Sequence, residues 1–130
     1  MGSKPMSNTT HKIEVYIPSV DGNGFQIDKT LRNSTVDAIA ARLSGIGGGC
    51  TIVRGIGYYL NSVNILVAEN VDIAYTFCSN GDIVRSKLSE LRMLCEQIAY
   101  NWSQESVLIV IDNKPEFLKA STYCTVKAIR

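Results

Sequence analysis

Apolar and polar residues alternate with a period of two through Ile13, Val15 and Ile17, with Glu14 and Tyr16 between them. This is the pattern of a half-buried strand, and Pro18 ends it. DGNG at 21–24 is turn chemistry, and Phe25 to Asn33, which carries Lys29 and Arg32, reads as a surface connection. The period then changes. Val36, Ile39, Ala40, Leu43 and Ile46 follow the three-and-four spacing of one buried helix face, with Ser34 or Thr35 as cap and Asp37 in the first turn. Gly45 and Gly47 to Gly49 stop that helix.

The segment CTIVRGIGYYL is rich in β-branched and aromatic residues and predicts a strand, with Gly55 and Gly57 as bulge points and Asn61 to Asn64 as a turn. The returning arm, NILVAENVDIAYTFC, is long for one strand and is expected to bend near Glu69 and Asn70. It sets Val71, Ile73, Tyr75 and Phe77 on one face and Asp72, Ala74 and Thr76 on the other. SNGD at 79–82 can cap a second helix, from about Gly81 to Ser103, whose Val84, Leu88, Leu91, Cys95, Ile98 and Trp102 form a heptad stripe widened by Leu94. That stripe either packs across the chain's own sheet or meets its copy in a dimer. Val107 to Ile111 is strand-sized, DNKPE ends it, and Cys124, Val126 and Ala128 alternate in a last edge strand.

The resulting fold class is α+β, in the order β-α-β-β-α-β, with an antiparallel-rich sheet, two helices packed on one face and an extra C-terminal edge strand. Residues 1–10 read as a flexible arm and 11–130 as a single domain.

Composition narrows the function classes. The chain of 130 residues is 45% apolar and only 19% charged, with a formal net charge of +1. That balance argues against an electrostatic nucleic-acid binder, and a surface so lean in charge suggests that another subunit covers part of it; the expectation is a homo-oligomer, a dimer or higher, a hexamer included. No apolar run approaches the roughly 20 residues that span a bilayer. The N-terminal MGSKPMSNTTHK lacks the apolar stretch of a signal peptide, so the expected location is cytoplasmic. Cys50, Cys78, Cys95 and Cys124 sit far apart in apolar surroundings and read as reduced core thiols.

Catalytic motifs are missing. The single histidine, His11, lies at the edge of the flexible arm, and there is no GxSxG, HExxH, EF-hand or zinc spacing. Gly55 to Gly57 form a GxG, but a strand follows, so it is neither a dinucleotide fingerprint nor a phosphate loop. No cofactor or metal is called for, and the expectation is a non-enzyme that binds a small nucleotide-type ligand. The candidate contacts are Arg54, Gly55, Gly57, Tyr58, Phe77, Asn80 and Arg85. A base could stack on Phe77, Tyr58 or Tyr59, and a phosphate could meet the helix amides after Asn80 with Arg54 or Arg85. The plainer alternative is core packing for Phe77, a capping role for Asn80 and solvated arginines. A small hydrolase or lyase using a tyrosine, Asp72 or Glu69 as acid and base is the second reading, and a purely structural homo-oligomeric domain the third.

The series VYIPS, then GG-x-C-T after the first helix, RGxGYY on the next strand and a glutamate on the strand after it resembles small phage and prophage proteins, in particular the Thoeris anti-defence sponge family. That resemblance implies a non-catalytic oligomer that sequesters a cyclic ADP-ribose-type immune signal, with cyclic oligonucleotides in a second pocket.

Overall fold

In chain order the elements are β1 (His11–Pro18), α1 (Lys29–Gly47), β2 (Thr51–Leu60), β3 (Leu66–Cys78), α2 (Gly81–Asn101), β4 (Ser106–Ile111) and β5 (Lys114–Lys119). They come from a computed structural model that describes residues 10–79 and 81–120, with residues 81–84 described by their backbone only. The expected arm over 1–9, the cap at Asn80, the side chain of Val84 and the strand around 123–128 lie outside the described residues.

The strands form one sheet in the order β2-β3-β1-β4-β5, and each neighbouring pair is antiparallel. This is the expected α+β arrangement. Alternation in β1 turns Ile13, Val15 and Ile17 toward the helices, where they join Ala74, Val107 and Ile109 against Ile39, Leu43 and Ile46 of α1. Leu88, Leu91, Cys95 and Ile98 of α2, with Trp102 just after it, complete that core, so this part of the heptad stripe packs across its own sheet.

Four local readings need correction. The first helix begins at Lys29, capped by Asp28, whose side chain accepts from the Leu31 amide at 3.1 Å; Ser34 lies within the helix and its hydroxyl donates to Leu31 O. Sequence periodicity missed this first turn because Leu31 is exposed and the inward-facing residue is the charged Arg32. At the other end Gly48 takes a φ of 86°, as a left-handed cap does, and a Cβ on Gly47 would run into Thr76 and the Phe77 carbonyl.

Gly55 and Gly57 are not bulges, because the ladder from Thr51 opposite Tyr75 to Leu60 opposite Leu66 is unbroken. β3 likewise continues as one strand through Glu69 and Asn70. Finally, DNKPE opens a fifth strand. Asp112 and Asn113, at φ 50° and 68°, make a two-residue primed turn, and Pro115 is tolerated because β5 is the edge strand among the described residues.

β1 covers β3 only over residues 71–78, so beyond Gly55 and Val71 the β2–β3 hairpin continues as a two-stranded ribbon. Ile56, Leu60, Val63, Ile65 and Leu66 on it are each at least 60% exposed.

Candidate functional site

The face of the sheet opposite the helices carries, by its ladder positions, Tyr16 and Pro18 of β1, Gly55, Gly57 and Tyr59 of β2, Glu69, Val71 and Ile73 of β3, and Ser106 and Leu108 of β4. These residues line a cavity of about 340 Å³ at the end of the sheet where the ribbon leaves it. Ile56, Tyr58 and Gln104 border it as well. Gly55 and Gly57 leave the recess open: a Cβ at Gly55 would stand 3.6 Å from Val71 and 4.0 Å from Ile73, inside the space.

Two loops are tied together next to Gln104, which borders the cavity. Gly22 donates its amide to Trp102 O at 2.9 Å, a close approach in which a Cβ would overlap the Ser103 carbonyl. The Gln104 amide donates to Val20 O at 2.6 Å, and Ile27 N–H to Ser19 O at 3.0 Å. The Ser19 amide points to Glu69 Oε2 across 3.4 Å.

The structure divides the residues expected to bind a ligand. Gly55, Gly57 and Tyr58 line the cavity. Arg54 pairs with Asp72 on the helix side of the ladder, its Nε 3.5 Å from Asp72 Oδ1 and its side chain 86% exposed. Phe77 is on the open face but eight residues along β3 from Glu69, roughly 25 Å at strand rise. There it meets Tyr75 edge-on with centroids 5.8 Å apart and lies beside Lys12. Arg85 is exposed on the first turns of α2, at that same far end. Tyr16, Gln104, Ser106 and Leu108 were missed, for they come from ordinary alternation and from the motif-free stretch after Trp102.

Asp72, one of two carboxylates considered as acid or base, is removed from the cavity by its register: it is buried on the helix side, with Arg32 Nη2 2.9 Å from Oδ2. Glu69 remains. Among the described residues it is the one charged side chain lining the cavity. His11 opens β1, its Nδ1 2.8 Å from Asp112 Oδ2 at the opposite end of the sheet from the cavity. The described thiols are free and poorly nucleophilic: burial pushes Cys50 and Cys78 up, Cys78 further through Asp112, and Cys95 up to about 12. Among the described residues no group of three or more His, Cys, Asp or Glu is placed to hold a metal, and no helix is long and apolar enough to cross a membrane.

A cavity with aromatic and aliphatic walls and one carboxylate favours a cationic ligand, and among the described residues its lining offers a phosphate no counter-charge. No protein-family model matches the chain, and no curated protein matches it in sequence. Solved structures do match in fold. A phage SAM lyase in complex with S-methyl-5'-thioadenosine is similar over 88% of this chain and 92% of its own, at 18% identity and a TM-score of 0.58. A phage SAM lyase in the apo state is similar over 95% of this chain and 98% of its own, at 16% identity and a TM-score of 0.59. The non-catalytic sponge and the non-enzyme expectation are corrected on this finding: both of these solved structures of the same fold are phage SAM lyases, which backs the lyase alternative instead. The arginines meant for an anionic signal also lie away from the cavity.

Proposed function

We propose that the chain is a lyase acting on a sulfonium nucleoside of the S-adenosylmethionine type, in the cavity around Glu69. The observation that carries this reading is a pocket whose sole charged lining group among the described residues is a carboxylate, flanked by Tyr16, Tyr58 and Tyr59, on a fold shared with phage SAM lyases. Glu69 and the aromatic rings attract the sulfonium, while the apolar walls of Val71, Ile73 and Leu108 remove water from it. In the reaction the bond between sulfur and the aminobutyrate carbon breaks and its electron pair moves onto sulfur, leaving a neutral thioether nucleoside. The carbon is completed by the substrate's own carboxylate, closing a lactone, or by loss of an adjacent proton to Glu69. Water is not consumed on either route.

The test is incubation of the protein with S-adenosylmethionine and mass detection of methylthioadenosine with time; proton NMR of the four-carbon product then separates the two routes. A substrate recovered intact after prolonged incubation sinks the reading. Consumption of the methyl donor is consistent with the anti-defence role expected from the sequence, in a phage-encoded protein.

We infer as well that the chain assembles with copies of itself, because the ribbon exposes Ile56, Leu60, Val63, Ile65 and Leu66 beyond the sheet that could cover them. Light scattering on a sizing column should report more than one subunit, and Leu60→Glu with Ile65→Glu should reduce the mass. A wild-type monomer at tens of micromolar would reject this.

A further inference from the structure

We infer that Arg32, on the helix side of the sheet, is a positioning residue for the pocket on the other side: it fixes the end of β1 so that the Ser19 amide is aimed at Glu69. The kinetic part of the test rests on the lyase reading; the spectroscopic part does not.

Arg32 stands in the first turn of α1, its side chain 15% exposed. Its Nε donates to Pro18 O at 3.1 Å, and its Nη2 is 2.9 Å from Asp72 Oδ2, off the line of a good hydrogen bond, so charge holds that second contact. One rigid guanidinium is therefore tied to β1 and β3 together, at the point where they part. Asp72 pairs with Ile17 and Val71 with Pro18, and there the β1–β3 ladder ends. The next amide, that of Ser19, has no place in the ladder and goes to Glu69 instead.

The segment 18–20 has little freedom to do otherwise. Pro18 O is taken by Arg32, Ser19 O by Ile27 N–H and Val20 O by the Gln104 side chain. With all three carbonyls held, the direction of the Ser19 amide is set before any ligand arrives, which is the preorganisation a charged binding group requires. At 3.4 Å the contact to Glu69 is long, as such contacts often are before a ligand tightens them. A lysine at 32 would keep a charge near Asp72 but lacks the planar fork that reaches both partners. Asp72 would still have Arg54 3.5 Å away, so replacing Arg32 does not strand its charge.

The experiment uses the full chain with Arg32→Lys. The amide resonance of Ser19 is assigned in a 1H–15N spectrum, and Glu69→Gln provides the reference position for an amide facing an uncharged acceptor. Arg32→Lys is expected to move the Ser19 resonance most of the way to that reference, to lower kcat/KM for S-adenosylmethionine at least tenfold, and to keep a cooperative melt. A Ser19 resonance unmoved from its wild-type position, or kcat/KM within twofold of wild type, overturns the inference and leaves Arg32 an ordinary ion-pair partner. If Arg32→Lys does not fold, Gln104→Ala, which frees Val20 O from the other side, is judged on the same resonance. If the wild type leaves S-adenosylmethionine intact, the lyase reading falls and the Ser19 resonance alone decides the role of Arg32.

Discussion

β3 has two faces that contradict the usual division of labour. Toward the helices it presents Asp72, Ala74 and Thr76, all buried; toward the open side it presents Glu69, Val71, Ile73, Tyr75 and Phe77, half-buried or exposed. The polar face is inside because each polar group has a partner there: Asp72 has Arg32 and Arg54, and the Thr76 hydroxyl donates to Gly49 O. The more apolar face is outside because among the described residues no helix covers it, and its unfilled strip, floored by glycine, is the pocket. Burial on this strand follows the helices, and the candidate pocket occupies the side they leave bare.

The sharpest test of that contrast changes one carboxylate on each face. Asp72→Asn leaves the buried Arg32 guanidinium without its full counter-charge, and should cost about 3 kcal/mol of stability in a denaturant or thermal melt. Glu69→Gln should leave the melt within a degree or two of wild type and lower the lyase rate about 100-fold. Equal losses of stability from both variants would erase the distinction between the faces.

A smaller effect tests whether the glycines matter as space. Gly55 has no positive φ, so a side chain is tolerated by the backbone, and its Cβ would enter the cavity 3.6 Å from Val71. Gly55→Val should raise KM for the sulfonium substrate about tenfold while the melting temperature holds or rises slightly, since the unfolded chain loses freedom. An unchanged KM would mean that the ligand does not use the recess.

Much of this architecture was legible in the sequence, because period-two and three-and-four spacings are dictated by the backbone. Ile13, Val15 and Ile17 and the stripe from Leu88 to Trp102 pointed directly to the core. The parity of β3 was equally legible, but not which parity faces the helices: Val71, Ile73, Tyr75 and Phe77 look like a core face, and only the ion pairs of Asp72 explain why they are not. Arg32 was invisible for the same reason, a charge where periodicity expects an apolar residue. The pocket was legible in Gly55, Gly57 and Tyr58 as positions, whereas joining them to Gln104 and Ser106 needed the ladder through β3, β1 and β4. Phe77 and Arg85 were suggested by adjacency to a helix start, and the structure sets them at the other end of β3 from the cavity.

The weakest expected effect comes from a polar group at the rim of the helix-covered face. Glu116 on β5 lies opposite Ile109, and Arg92 of α2 grips it with Nε and Nη2 at 2.9 Å to its two oxygens. The hydrogen bond from Arg92 holds its carboxyl below the ordinary glutamate value, as the hydrogen bond from His11 does for Asp112 just past the end of β4. A carboxylate with a lowered folded pKa contributes stability that is complete above its unfolded value, roughly 4.3 for glutamate, and is lost as pH falls through the folded value. Melting temperature should therefore hold from pH 7 to about 5 and decline below roughly 4.3. Because both side chains of the Arg92–Glu116 pair are 37% exposed, solvent screening keeps its share under about 1 kcal/mol. Glu116→Gln should lower the neutral-pH melt by that small amount and flatten the acid decline, in contrast to the large loss at Asp72. If it costs as much as Asp72→Asn, burial is not what separates the two ion pairs, and the account of why β3 can turn its polar face inward fails with it.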